Sequence, residues 1–244
     1  MPVDSSRRPG DADPSRERAK ERGHDLLAPI DAAYSSGEID QNEWHRWVLA
    51  VVEPAYLAGD ERMGSGHSGT AQEWESSRSI VMAAIDRDGT FLDIGCANGL
   101  LIASVHRWAA AAGHLVEPYG VDISPALAAL ARSRYPQWAE RIWTANAATW
   151  RPPVRFDLVR TGLEYVPADR RQDFVLHLVD HVVSPGGRLI IGKTNEDRAE
   201  PSTPRGVAAD LRAWGWSGIH EVRRPHDHPQ VEQTLVWFDT PTTR

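Results

Sequence analysis

The residues best suited to chemistry in this chain are two carboxylates, Asp93 and Asp122, and the loop of small residues that follows the first. The run Phe91-Leu92-Asp93-Ile94 ends in an acid and enters Gly95-Cys96-Ala97-Asn98-Gly99. Small residues at Gly95, Ala97 and Gly99 allow a tight turn and a close approach of backbone to a bound group. An amphipathic helical pattern starts at Leu100. A second apolar run, Tyr119-Gly120-Val121-Asp122, ends in an acid 23 residues after Gly99. At the tip of the next strand of an open α/β sheet, such a carboxylate accepts two hydrogens from a ribose diol at once.

Spacing separates the ligands that such a site can hold. A dinucleotide fold needs a third small residue where helix and strand pack, and that position here is Leu100. The pattern acid-x-Gly-x-Ala-x-Gly, with Asp93 two residues before Gly95, resembles the first motif of the class I S-adenosylmethionine-dependent methyltransferases of small-molecule type. In that motif an apolar strand leads into D/E-x-G-x-G-x-G, and Ala97 stands where the family has its middle glycine. The resemblance covers about 90–239. It implies S-adenosyl-L-methionine as cofactor, with Gly95, Cys96, Ala97 and Gly99 in the loop under its methionine part and Asp93 reaching its ammonium group. Asp122 would take the ribose hydroxyls and Ile123 would pack on the adenine. Asn146-Ala147 lies where relatives have Asp and a small residue, and an Asn carbonyl can accept from the adenine amino group. The other reading of Asn146 is a loop residue capping Thr149. Phe156 to Pro167 resembles the fourth-strand segment of the family, with Leu163-Glu164-Tyr165 in a slot that often reads Leu-Glu-His or Leu-His-His. Backbone at Thr161 and Gly162 is expected to face the cofactor. Cys96 reads as a small filler, since nothing near it lowers its pKa.

The family's reaction needs an acceptor lone pair lined up with the methyl–sulfur axis and water kept out, and alignment alone supplies about 7–11 kcal/mol in well-oriented systems. A base is added where the acceptor must lose a proton. By position, Glu164 and Tyr165 are the candidates chosen. His67, His226 and His228 are alternatives that read better as solvated loop residues. Lys193, Thr194 and Asn195 are candidates for the acceptor pocket. His226-Asp227-His228 does not make a metal site, because neighbouring side chains diverge and no third ligand is evident.

The elements that must position these groups follow from periodicity. Strand patterns fall near 90–94, 116–121, 141–145, 156–161 and 187–193, and helical patterns near 98–112, 125–135, 168–183 and 204–214. Pro185-Gly186-Gly187 is expected to stop the helix before the fifth strand. Two further strand patterns, about 216–223 and 232–239, follow without a helix between them. The expected fold is a Rossmann-like doubly wound seven-stranded sheet, mostly parallel, with an antiparallel C-terminal edge hairpin and an N-terminal helical extension. Residues 1–14 read as a disordered tail and 86–244 as the methyltransferase domain, with 15–85 a helical extension that either packs its tryptophans as core against the sheet or caps the substrate. In the extension, Asp40 with Glu43 and Thr70 with Glu73 spell capping boxes. Trp44, Trp47, Val48 and Val51 are spaced for one face, and Pro54 should bend or end that helix. The glycine-rich stretch Gly64 to Gly69 reads either as a loop closing over ligand or as a plain linker.

The chain has 244 residues, a net charge of −7, 41% hydrophobic residues and one cysteine. These values suit a globular α/β protein with no internal disulfide and no multi-cysteine zinc site. No stretch approaches the roughly 20 apolar residues of a membrane span and no secretory leader is evident, so a cytoplasmic location is expected. Arginines interleaved with acids lack the clustering that binds phosphate backbones, which disfavours a nucleic-acid partner. A small-molecule acceptor, of the kind met in specialised metabolism, is the expected partner. The alternatives are a methyltransferase for RNA or protein and a cofactor-binding homologue without catalysis.

Overall fold

The computed structural model of the chain describes residues 14–67, 69–195, 206–225 and 232–242. Apart from Pro14, the expected N-terminal tail lies outside these residues, as do His226, Asp227 and His228. Three helices lead in: α1 (Pro14–Ser35), α2 (Gln41–Ala58) and α3 (Ala71–Arg78). Then come β1 (Gly89–Ile94), α4 (Leu100–Ala111), β2 (Val116–Asp122), α5 (Pro125–Arg134), β3 (Ile142–Thr144), β4 (Phe156–Thr161), α6 (Arg171–His181), β5 (Val183–Asn195), α7 (Val207–Ala213), β6 (His220–Pro225) and β7 (Glu232–Asp239).

One seven-stranded sheet has the order β3-β2-β1-β4-β5-β7-β6. Strands β1 to β5 are mutually parallel, while β7 runs antiparallel to both β5 and β6. This is the expected doubly wound sheet with its closing hairpin. Alternate residues feed two cores. Leu92, Val159, Leu189 and Ile191 pack toward α6 and α7, while Phe91, Leu158 and Ile190 pack toward α4 and α5. Both faces of the central strands are covered, as parallel sheets require. β3, β2 and β1 carry their connections on one side of the break in strand order, and β4 and β5 carry theirs on the other. The tips of β1 and β4 therefore border the crevice in which such sheets bind ligands.

Three expectations need correction. Of the two outcomes expected at Pro54, ending the helix is excluded, because α2 continues through it to Ala58. The ring removes one hydrogen bond, but the helix is anchored on both sides of it, by the buried His45 before and by Tyr56 on the cavity wall after. α6 ends at His181, and Pro185-Gly186-Gly187 lies inside β5 rather than before it. There the register with β4 jumps from Phe156↔Val183 to Leu158↔Arg188. Gly186 adopts φ +73°, and its N–H donates to the Pro241 carbonyl at 3.0 Å, so the insertion is a bulge pinned by the C-terminal segment. Trp47 is 43% exposed and leaves the stripe that Trp44 occupies.

Both capping boxes form, at Asp40–Glu43 and Thr70–Glu73. α1 and α2 share a small core of Ile30, Ala33, Ile39 and Trp44, separate from the sheet cores. The Trp44 indole N–H donates to Asp31 at 2.8 Å and locks the pair.

Far from the strand tips, Arg188 is held bidentately by Asp239, at 2.7 and 3.1 Å, with Asp86 at 3.1 Å and the Ala84 carbonyl at 3.0 Å. Desolvation pushes the Asp239 carboxyl up, but its hydrogen bonds and charge interaction with Arg188 win and hold it below the usual carboxylate range. A carboxylate depressed in the fold stabilises above its unfolded pKa of about 3.9, and the gain is lost as pH falls through the folded value. Urea unfolding should therefore show stability dropping as pH is lowered below about 4. In Arg188→Met the drop should be shallower. At neutral pH that variant should be less stable by about 1–2 kcal/mol, because the carboxylates it leaves behind, Asp239 and Asp86, are 47% and 62% exposed and screened by solvent.

Candidate active site

A cavity of about 580 Å³ lies between the C-terminal ends of the strands and the lead-in helices. That volume is within the range of about 300–1,000 Å³ typical of small-molecule sites. Its floor includes Asp93, Gly95, Cys96, Ala97, Asp122, Ile123, Asn146 and Ala147. Glu164 and Tyr165 stand on the wall after β4, and Trp44, His45, Val48, Val52 and Tyr56 of α2 form the roof.

The centre of the floor is an ion pair. Asp93 and Arg160 are register partners on β1 and β4, and the Arg160 guanidinium donates to Asp93 at 3.1 Å. Asp93 is 1% exposed. Burial raises its carboxyl pKa, and the Arg160 charge opposes that shift. The same guanidinium donates to the Tyr165 hydroxyl at 3.3 Å. Burial likewise raises the Tyr165 pKa, so at neutral pH this residue is a phenol that can donate or orient, and it is poorly suited to act as a base. Its ring lies against Gly95, where φ is +74° and an added Cβ would meet the ring at 2.6 Å. The Gly95 backbone therefore makes room for Tyr165. The Glu164 carboxylate folds back over Gly162 into the space a Cβ would need.

Asp122 ties the first loop to the second. One oxygen accepts from the Ala97 N–H and the other from the Ser124 N–H, each at 2.8 Å. Burial raises its pKa, and these two N–H groups oppose the rise. Each oxygen keeps a further lone pair, and the residue is on the cavity wall. Ala97 adopts φ +47°, the left-handed region that glycine occupies without penalty. The Ser124 hydroxyl, which caps α5, also donates to Glu53 of α2.

Asn146 is held from two sides. Its carbonyl oxygen accepts from the Ala148 N–H at 3.0 Å, and its amide faces His45 Nδ1 at 3.4 Å. The expected cap of Thr149 is made by the Asn146 main-chain carbonyl instead. The other ring nitrogen, Nε2, is 3.1 Å from the Tyr165 carbonyl. A carbonyl only accepts, so Nε2 carries the proton and Nδ1 accepts from the Asn146 amide. His45 thereby joins the roof to the Asn146 loop and to the turn after β4.

Cys96 is 1% exposed and packs against Gly120, and burial pushes its thiol pKa well up, which suits a filler. Gly99, Thr161 and Gly162 are set back from the cavity wall, contrary to expectation. Gly99, at φ +83°, leaves space for the Tyr135 ring and the Ala131 methyl, so its smallness serves packing between α4 and α5. Thr161 is fully buried and donates to the Gly162 carbonyl at 3.3 Å. His67 is buried edge-on to Trp74, away from the cavity wall. The side chains of Lys193, Thr194 and Asn195 lie outside the described portion. Among the described residues there is no group of three or more His, Cys, Asp or Glu that could hold a metal, and no helix is long and apolar enough to cross a membrane.

Sequence reasoning missed Arg78, Arg160, His45, Tyr56 and Glu53. Arg78, at the end of α3, lies on the cavity wall with its guanidinium over the Trp74 ring, donating to the Gly66 carbonyl at 2.9 Å. Desolvation and the nearby Arg160 charge lower its pKa, so its charge is costly and a buried anion would relieve it. Glu61, Gly64 and Ser65 are seated on the first loop. Asn98 donates to the Glu61 carbonyl at 2.6 Å and accepts from the Ser65 hydroxyl at 3.0 Å, and Gly64 leaves no room there for a Cβ.

Comparison with known proteins agrees with this geometry. Residues 91–187 match the family described as "Methyltransferase domain". A structure of 1,6-didemethyltoxoflavin-N1-methyltransferase from Burkholderia thailandensis, with bound 1,6-didemethyltoxoflavin and S-adenosylhomocysteine, is 18% identical. The alignment covers 99% of this chain and 98% of that one, with a TM-score of 0.51. A putative class I S-adenosylmethionine-dependent methyltransferase from Listeria monocytogenes is 12% identical, with 90% and 78% covered and a TM-score of 0.51. A methyltransferase from Geobacter sulfurreducens in complex with S-adenosyl-L-homocysteine is 14% identical, with 70% and 91% covered and a TM-score of 0.50. A search of curated proteins finds no match. The match places a methyltransferase domain within residues 91–187, and the three solved structures share the fold of this chain.

Two variants test this account of the floor. Ala97→Gly should relieve a left-handed conformation that costs about 1–2 kcal/mol. Glycine's looser unfolded state takes back about 0.4–1 kcal/mol. Denaturant unfolding should show a net gain of up to about 1 kcal/mol. Arg160→Met should destabilise by about 3–5 kcal/mol by stranding the Asp93 charge, and adding Asp93→Asn should restore part of the loss.

Proposed function

We propose that this chain binds S-adenosyl-L-methionine across the tips of β1, β2 and β3 and transfers its methyl group to a small molecule enclosed under α2. The observation that carries the reading is Asp122, a buried carboxylate on the cavity wall whose oxygens are fixed by two backbone N–H groups and still have lone pairs to offer. The residues present fit the cofactor. Asp122 suits the ribose hydroxyls and Ile123 the adenine face. Arg78, a half-buried cation on the cavity wall with no carboxylate partner among the described residues, suits the cofactor's carboxylate. Asp93, committed to Arg160, supports the floor and sets the local charge.

When bound, the cofactor supplies a methyl group on a sulfonium that leaves as a neutral thioether. The protein aligns the acceptor and excludes water. The Tyr165 hydroxyl, held by Arg160, can orient a lone pair on the acceptor, and Glu164 is the carboxylate available to take a proton from an acceptor that carries one. α2 roofs the cavity, and this supports the cap reading of the helical extension over the reading that it is core alone.

Calorimetry should show saturable binding of S-adenosylhomocysteine and none of NAD, and the reverse would overturn the reading. Asp122→Asn keeps an acceptor but removes the charge. Hydrogen bonds to charged groups contribute about 1.5–3 kcal/mol, so S-adenosylhomocysteine affinity should fall roughly tenfold to a hundredfold. Arg78→Met should lower it by a similar factor, with no loss for decarboxylated S-adenosylhomocysteine. An equal loss for both ligands would show that Arg78 reads something other than the carboxylate.

A further inference from the structure

The cavity extends past the part that a cofactor over β1, β2 and β3 would occupy. On the other side of the Asp93–Arg160 pair its walls come from Gly192 of β5, Arg171 and Phe174 of α6, and Val207 and Asp210 of α7. The sheet order places β5 beyond β4, opposite β2 and β3, so these residues form a second compartment.

The charges of the two compartments differ in how they are satisfied. On the cofactor side Asp93 is paired with Arg160, Asp122 holds two N–H groups, and Arg78 has the Gly66 carbonyl and the Trp74 face. In the second compartment Arg171 Nε is buried with no hydrogen-bond partner. Among the described residues neither Arg171 nor Asp210 has a side-chain hydrogen bond or an ion pair. Although they share one cavity, they do not pair with each other. A buried donor left unmade carries a cost, and a ligand can repay it. Phe174 and Val207 beside them are apolar and buried.

Resting on the methyl-transfer reading, we propose that the acceptor is an amphoteric small molecule. Its apolar body lies against Phe174 and Val207, a hydrogen-bond acceptor or anionic group meets Arg171, and an N–H or ammonium donor meets Asp210. A molecule with only an acid gains Arg171 and meets the Asp210 charge, and one with only an amine has the opposite conflict. Requiring both ends makes the compartment selective by mismatch as well as by fit.

Three matched probes share one ring and differ in these ends: L-phenylalanine has both, hydrocinnamate the acid alone and phenethylamine the amine alone. Binding of each to the full chain saturated with S-adenosylhomocysteine is measured by calorimetry, alongside S-adenosylhomocysteine itself. L-phenylalanine should bind at least tenfold tighter than either partner probe. Arg171→Met should bring it down to the level of phenethylamine, Asp210→Asn to that of hydrocinnamate, and Arg171→Lys should retain part of the preference. S-adenosylhomocysteine affinity should stay within twofold in all three variants. Equal binding of the probes, binding of none, or a preference that survives in Arg171→Met would overturn the proposal. So would loss of S-adenosylhomocysteine binding in Arg171→Met, since Arg171 would then serve the cofactor. Failure of the unaltered chain to bind S-adenosylhomocysteine would instead remove the methyl-transfer reading on which the proposal rests.

Discussion

The buried pair of Asp93 and Arg160 is the constraint around which the site is arranged. A carboxylate at the tip of the central strand is too costly to bury alone, and its register partner on β4 supplies the opposite charge. The same guanidinium nitrogen also donates to the Tyr165 hydroxyl. Tyr165 in turn takes the space that Gly95 leaves open, and its main-chain carbonyl holds His45 of the roof. One cross-strand ion pair thus sets the positions of the first loop, the turn after β4 and the helix above them.

Asp122 is a second organiser with a different logic. The residue suited to a ribose is also the residue that stops the glycine loop from drifting, through the Ala97 N–H, and that begins α5, through the Ser124 N–H. Ligand binding and loop geometry share one carboxylate. The left-handed Ala97 is tolerated because that hydrogen bond holds its amide in place.

How far the chain could be read beforehand varies by element. β1 and β2 were legible because apolar runs ending in acids leave little choice of register, and β7 matched its pattern from end to end. The start of β5 was not legible, because Pro-Gly-Gly is an ordinary stop signal and only pairing with β4 and the Pro241 carbonyl turns it into a bulge. Asp93, Asp122 and Ile123 announced themselves through the motif. Arg78, His45 and Glu53 did not, because each reaches the site from a helix far away in sequence and lies in an unremarkable helical pattern. Gly99, Thr161 and Gly162 show the opposite limit. The motif places them at the site, but Gly99 serves packing against α5 and Thr161 and Gly162 make contacts within their own turn.

Unlike α3, whose Trp74 is part of a sheet core, α1 and α2 have their own small core and meet the sheet domain largely through polar contacts: Tyr34 with Asp169 and Arg170, His45 with Tyr165 and Asn146, Glu53 with Ser124, and, just after α2, Glu61 with Tyr135. Lifting such a unit exchanges hydrogen bonds with water and leaves both sheet cores closed. Opening would therefore carry a small heat-capacity change, set by polar rather than apolar exposure. Its equilibrium would respond weakly to temperature and more strongly to solutes that compete for hydrogen bonds. An enclosed site built this way can exchange its contents without unfolding any part of the sheet that holds them.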